Sequence, residues 1–214
     1  MPKKPSAALI VCGLCAFLAS CSLADLFGGG DLLPDTAPKA TQLPFSADEM
    51  YRYGKFGFFP NPATGPNFHG GIDCFPYKGK TATFYAIADG TVSTINTDTK
   101  QGYDGDKGAR NYLIEISISK TVKAHYHFEA AFDETTGLPL TEAQVDANIL
   151  VRKGDSVRAG DAIGILPYRC SSTHVHFSIH EEAYHGEGPD MPSPLTYFDT
   201  AGAARLNELD LIYK

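Results

Sequence analysis

Apolar and polar residues alternate from His174 through Val175, His176, Phe177 and Ser178 to Ile179. A strand with one buried face requires that period of two. It commits this stretch to β-structure, with Val175, Phe177 and Ile179 inward and both imidazoles on the opposite face. The run from Val122 to Phe128 repeats the pattern. Val122, Ala124, Tyr126 and Phe128 share one face, and Lys123, His125 and His127 share the other. Thr83 to Ile87, Gly90 to Ile95 and Tyr112 to Ile118 read as further strands, separated by Gly and Asp turns such as Ala88-Asp89-Gly90. The expected class is all-β with little helix. Leu140 to Leu150 is the best helix candidate, inside what reads as an inserted loop from Ala130 to Asn148. A terminal helix is expected over Ala201 to Leu211. Val151 to Ile165, punctuated by Gly154, Gly160 and Gly164, reads as tight β turns.

The histidines on these faces acquire a chemistry when His69 and Asp73 are added. The first pair stands four residues apart in NFHGGID, and His174 and His176 stand two apart in STHVHFSI. Gly70 and Gly71 inside the first pair allow a turn to bring an imidazole and a carboxylate to one point. Two histidines and one carboxylate, with a fourth position for water, make the ligand set of a catalytic zinc site, and one histidine is left spare. Nitrogen ligands with a single carboxylate argue against magnesium or calcium. Each half alone is ordinary, because an HxH on a strand is more often a hydrogen-bonded or surface pair. Convergence of both among only seven histidines is what carries weight.

The chain of 214 residues, 43% hydrophobic, suits one globular domain with a real core. Its N-terminus reads as something other than fold. Lys3 and Lys4 precede an uncharged apolar run from Ala7 to Ala19, too short for a stable membrane span and suited to a secretory signal. Leu18-Ala19-Ser20-Cys21 resembles the lipobox of bacterial lipoproteins, whose cysteine is lipidated. That resemblance implies a signal peptide over 1–20, a lipidated Cys21 with a Gly- and Pro-rich flexible tether over 21–43, and a folded domain over 44–214. It also implies an exported protein, lipid-anchored to a bacterial membrane on its periplasmic or cell-surface side. Cys12 and Cys15 would leave with the signal, so Cys74, beside Asp73, and Cys170, four before His174, remain. A disulfide joining Cys74 with Cys170 is the expectation in an oxidising compartment, with free thiols or thiolate ligation of the metal as the alternatives. The formal charge of −7, more acidic still once Lys3 and Lys4 are removed, argues against a nucleic-acid partner.

Five blocks together resemble the lysostaphin or LytM-type zinc endopeptidases that cut peptide bridges in bacterial peptidoglycan. They are HGGID at 69–73, YAIADGTV at 85–92, NYLIEI at 111–116, VRKGDSVRAGDAIG at 151–164 and HVHF at 174–177. Order and approximate spacing agree over roughly residues 66–198. The resemblance implies an antiparallel β sandwich or half-barrel of the duplicated hybrid type, with a loop insertion. It makes His69, Asp73 and His176 the zinc ligands and His174 a catalytic histidine, acting on peptidoglycan peptides. The family also carries a YxH on a preceding strand, and here that stretch reads KAHYHF without the tyrosine. His127, followed by Phe128, is the preferred equivalent, and His125 is the fallback. The segment PYRCSS before His174 and the 130–148 insertion also depart from the family pattern, which puts substrate preference in question.

Rival readings are weaker. HEEAYH at 180–185 spaces its histidines five apart, off a common helical face. DGDKG at 104–108 has Ala109 where a calcium loop needs glycine. HVHF also resembles the first motif of cupin barrels, which need a further downstream histidine that is missing after His185. The serious alternative is a wall-binding module that retains zinc, lacks turnover, and activates or recruits other cell-wall hydrolases. The missing tyrosine keeps it in view.

Overall fold

A computed structural model describes residues 33–54, 56–59, 67–102, 104–182 and 190–212. The expected signal peptide, the lipidated Cys21 and the tether as far as residue 32 lie outside the described residues, as do Pro66 and His185. Eleven strands and two α-helices make up the described chain. The strands are β1 (Met50–Gly54), β2 (Gly57–Phe59), β3 (Asn67–His69), β4 (Ile72–Pro76), β5 (Thr81–Tyr85) and β6 (Gly90–Thr99). They continue with β7 (Asn111–Ser117), β8 (Val122–Glu129), β9 (Ser156–Val157), β10 (Ala162–Pro167) and β11 (His174–Glu181). The helices are α1 (Glu142–Asn148) and α2 (Thr200–Ile212).

Seven strands form one antiparallel sheet in the order β1-β4-β11-β8-β7-β6-β9. The long strands alternate as their sequences demand. On β7, β8 and β11 the residues Tyr112, Ile114, Ile116, Ala124, Tyr126, Phe128, Val175, Phe177 and Ile179 are buried in one cluster. A separate ribbon of β5 with β10 closes over that apolar face, and Phe84 of β5 meets Phe128 edge-on at 5.3 Å. Tyr112 stacks on the same Phe128 ring at 4.5 Å. Tyr126 satisfies its buried hydroxyl by donating to the Tyr85 carbonyl and accepting from the Ile87 amide. The curled antiparallel half-barrel expected from the sequence is the architecture observed, and the polar face of its central strands is left for chemistry.

Three local findings sharpen or correct the sequence reading. Residues 151–165, read only as turns, contain β9 and most of β10, whose Ile163 and Leu166 are fully buried under the sheet. In the insertion, Thr141 caps α1 by accepting from the Gln144 amide while the Gln144 side chain accepts from the Thr141 amide, so the helix begins there. Residues 33–43, at the end of the expected tether, carry contacts to the domain: Ala40 is buried and forms a parallel bridge with Phe198.

The disulfide of Cys74 with Cys170 is not formed, and both cysteines are free. The reason is the alternation of β4. Asp73 turns to the polar face, so its neighbour Cys74 must turn into the core, where it is fully buried. Cys170 stays on the loop before β11, with its sulfur 2.9 Å from the Ser172 hydroxyl. Burial, aided by the Asp73 charge, pushes the Cys74 thiol well above its ordinary pKa, which makes it unreactive. Alkylation of the native chain followed by peptide mass mapping should therefore label Cys170, and label Cys74 only after unfolding. Recovery of a linked Cys74–Cys170 peptide pair would contradict this arrangement.

Candidate metal centre

Asp73 faces His176 in the β4–β11 ladder, and His69 at the end of β3 reaches the same point across the Gly70-Gly71 turn. Three side-chain atoms meet there. His69 Nε2 is 3.0 Å from Asp73 Oδ1, His176 Nδ1 is 3.0 Å from the same oxygen, and the two nitrogens are 3.1 Å apart. Two N–H groups donating to Asp73 Oδ1 would account for two edges but leave the 3.1 Å between the two nitrogens unsupported, because a proton lying along one edge points roughly 60° away from the third corner. Three lone pairs converging on a common centre can account for it. A tetrahedral ion with bonds of about 2.0–2.1 Å spans ligand–ligand edges of about 3.3 Å, close to the triangle observed. The residues therefore fit a divalent metal, and the donor set is the softer, nitrogen-rich kind.

The electrostatics agree with that fit. Burial alone would raise the Asp73 carboxyl. The hydrogen bonds from His176 and His69 and the nearby His174 outweigh it, holding the group well below the ordinary carboxylate range. Asp73 is thus an anion at any working pH. Gly71 is needed here for space. A Cβ at this position would lie 2.4 Å from His176 Nε2 and 2.6 Å from the Phe177 carbonyl oxygen.

His174 flanks the triangle. Its Nδ1–H donates to the Ser172 carbonyl at 2.7 Å, and its ring lies on Phe75 with centroids 4.9 Å apart. Those contacts fix the ring so that Nε2 faces Asp73 Oδ1 at 3.6 Å and Glu129 Oε2 at 3.5 Å. Glu129 is itself buried, and its Oε1 lies 3.2 Å from His127 Nδ1. A neutral His127 satisfies both of its nitrogens, with Nδ1–H donating to Glu129 and Nε2 accepting from the Thr99 hydroxyl at 2.6 Å. His127 is thereby linked to the triangle through Glu129 and His174.

His125 lies one alternation away and belongs to other neighbours. Its Nδ1 is 3.3 Å from Glu115 Oε1, and its ring stacks on His180 at 4.3 Å. The structure thus separates two histidines that alternation placed on one face of β8. The sequence reading missed Glu129, although the signal was present: Lys123, His125, His127 and Glu129 continue the same alternation, and the strand runs one residue beyond Phe128. Thr99 carried no such signal, because it comes from the far end of β6.

Neither the protein-family models nor the curated proteins compared with this chain match it. Several solved structures do resemble it. One is the SpoIIQ–SpoIIIAH pore-forming complex, at 18% identity over 77% of this chain and 93% of that one, with a TM-score of 0.47. Another is a zinc-containing peptidase from Vibrio cholerae, at 22% identity over 73% of this chain and 41% of that one, with a TM-score of 0.44. A third is the catalytic domain of lysostaphin from Staphylococcus simulans, at 20% identity over 72% of this chain and 97% of that one, with a TM-score of 0.42. At such identities and scores the likeness transfers no residue role and no substrate to this chain.

The requirement at Gly71 gives a direct check on the triangle. Gly71→Ala should weaken zinc binding by about 10–100-fold, the scale at which groups supporting metal ligands act, and should also lower stability because the Phe177 carbonyl must shift. Unchanged zinc affinity, measured by competition with a chelator, would contradict the role of this close approach.

Proposed function

We propose that this chain is a zinc-dependent endopeptidase that hydrolyses peptide cross-links or bridges in bacterial peptidoglycan. The observation that carries the reading is the triangle of His69 Nε2, Asp73 Oδ1 and His176 Nδ1 with the oriented imidazole of His174 beside it. The three triangle residues would hold the ion. When bound, zinc supplies a water of near-neutral pKa and polarises a scissile carbonyl.

The remaining steps belong to the chain's own residues. With Nδ1–H committed to Ser172, His174 exchanges protons only at Nε2, which faces the ligand oxygen of Asp73. The Glu129 carboxylate lies 3.5 Å from that nitrogen and can accept a hydrogen bond whenever Nε2 carries the proton. His174 Nε2 would take up the proton given up by the attacking water and deliver it to the leaving amine, so that the proton is conserved across the hydrolysis. His127 acts through Glu129: its Nδ1–H holds the carboxylate in place, and Thr99 holds His127. Here His127 is a positioning residue and His125 has no part in the reaction. The peptidoglycan substrate, the export and the lipid anchor at Cys21 rest on the sequence resemblances described above, and they form part of the same proposal.

One observation favours a second reading, a zinc-retaining wall-binding module without turnover. The family's tyrosine position is occupied by His125, whose ring contacts are to Glu115 and His180. Incubation of purified sacculi with the zinc-loaded full-length chain separates the two. The enzyme reading expects release of soluble muropeptides, lowered about 100-fold or more by His174→Ala with zinc content retained. It also expects His176→Ala to lose activity together with the zinc equivalent held at the triangle. Zinc binding without muropeptide release by the wild type would establish the binding module instead.

A further inference from the structure

The donor set of the first site, two imidazoles and one carboxylate, occurs a second time on the same face of the sheet. Glu115 on β7, His125 on β8 and His180 near the end of β11 offer ligand atoms that all lie within 4.8 Å of one another. Register brings them there. Glu115 faces His125 across β7–β8, Ser178 faces His125 across β8–β11, and His180 follows Ser178 on the same face. The two rings stack at 4.3 Å with an interplanar angle of 23°. Glu115 divides its carboxylate: Oε1 lies 3.3 Å from His125 Nδ1, and Oε2 lies 3.5 Å from Lys123 Nζ. The proposed hydrolysis makes no use of this cluster.

Its protonation state suits a metal. Burial lowers His125, and burial with the neighbouring His125 lowers His180 to about 4, so both imidazoles are neutral at pH 7. The hydrogen bond from His125, helped by Thr94 and Lys123 against the opposing effect of burial, brings Glu115 down to about 2. Two neutral imidazoles beside an ionised carboxylate can each turn one ring nitrogen to a cation without first losing a charge-bearing proton, once the His125–Glu115 and His180–Ser178 hydrogen bonds give way. Glu115 and His180 also line an open pocket together with Thr121 and Glu182, so solvent and ions reach the cluster from outside.

We propose that Glu115, His125 and His180 form a second divalent transition-metal site, of the zinc class, distinct from the His69–Asp73–His176 centre. Imidazole ligands select zinc-like ions over magnesium and calcium. Closing the ligand atoms to the edges of a tetrahedral zinc site, about 3.3 Å, is a side-chain adjustment and leaves the strands in place. His180 Nε2 exchanges its 3.1 Å contact with the Ser178 hydroxyl for the ion. Lys123, whose side chain is 44% exposed, swings away from Glu115 as the ion takes its place. Bound there, the metal would tie β7, β8 and β11 together at the end of the face remote from His174. This inference stands apart from the endopeptidase reading, since the site would bind whether or not the first centre turns over substrate.

The test is zinc stoichiometry of the chelator-stripped full-length chain, by calorimetric titration and by metal content after gel filtration. The double variant Glu115→Gln, His180→Ala should bind one equivalent fewer than wild type, with an unchanged circular dichroism spectrum. Adding His176→Ala should remove a further equivalent. Lys123→Ala, which removes the competing cation, should tighten the second site by about two- to fivefold. If the double variant binds as much zinc as wild type and Lys123→Ala changes no affinity, the second site is overturned. If the double variant loses an equivalent and His176→Ala loses none, the second site stands and the first centre fails.

Discussion

Across the β4–β11 ladder His176 faces Asp73, and the rest of the polar face takes its position from that pairing. Strand side chains repeat with a period of two, so a slip of one residue would send Asp73 into the core and bring Cys74 out. The ladder resists the slip because Val175, Phe177 and Ile179 are buried on the far side and would have to surface together. The apolar face of β11 therefore fixes the geometry of the polar face. The same logic continues along β8, where the burial of Tyr126 and Phe128 holds His127 and Glu129 outward.

Carboxylates and imidazoles share the face in mutually dependent pairs. Asp73 stays ionised despite burial because His69 and His176 surround it, and Glu129 is buried between His127 and His174. A buried charge without a partner costs several kcal/mol, so each acid constrains where its histidines sit. Ser172 and Thr99 complete the arrangement from outside the central strands: Ser172 occupies His174 Nδ1 and leaves Nε2 facing the triangle, and Thr99 holds the His127 ring against Glu129.

Where the sequence carried a clean period, it could be read into structure. The strands around Tyr112, Val122 and His174, the helix in the insertion and the terminal helix all formed close to their expected places. Residues 162–167 were harder to read, because their glycine-punctuated apolar pairs gave no alternation, and only the covering sheet explains why Ile163 and Leu166 are buried. The triangle was readable because its members come in two short motifs with metal-ligand spacing. Its supports were less so. Thr99 reaches His127 through a cross-sheet contact that no local pattern encodes. The disulfide expectation failed on the same period that served elsewhere: neighbours in sequence on a strand point to opposite faces, and proximity of Cys74 to Asp73 meant separation of their side chains.

The central claim is that one metal ion sits where His69, Asp73 and His176 converge. Crystals of the zinc-loaded protein, measured on both sides of the zinc absorption edge, test it most directly. The account predicts an anomalous peak inside the triangle, about 2.0–2.2 Å from His69 Nε2, Asp73 Oδ1 and His176 Nδ1. Zinc bound elsewhere on the chain, with no anomalous density at the triangle, would contradict it.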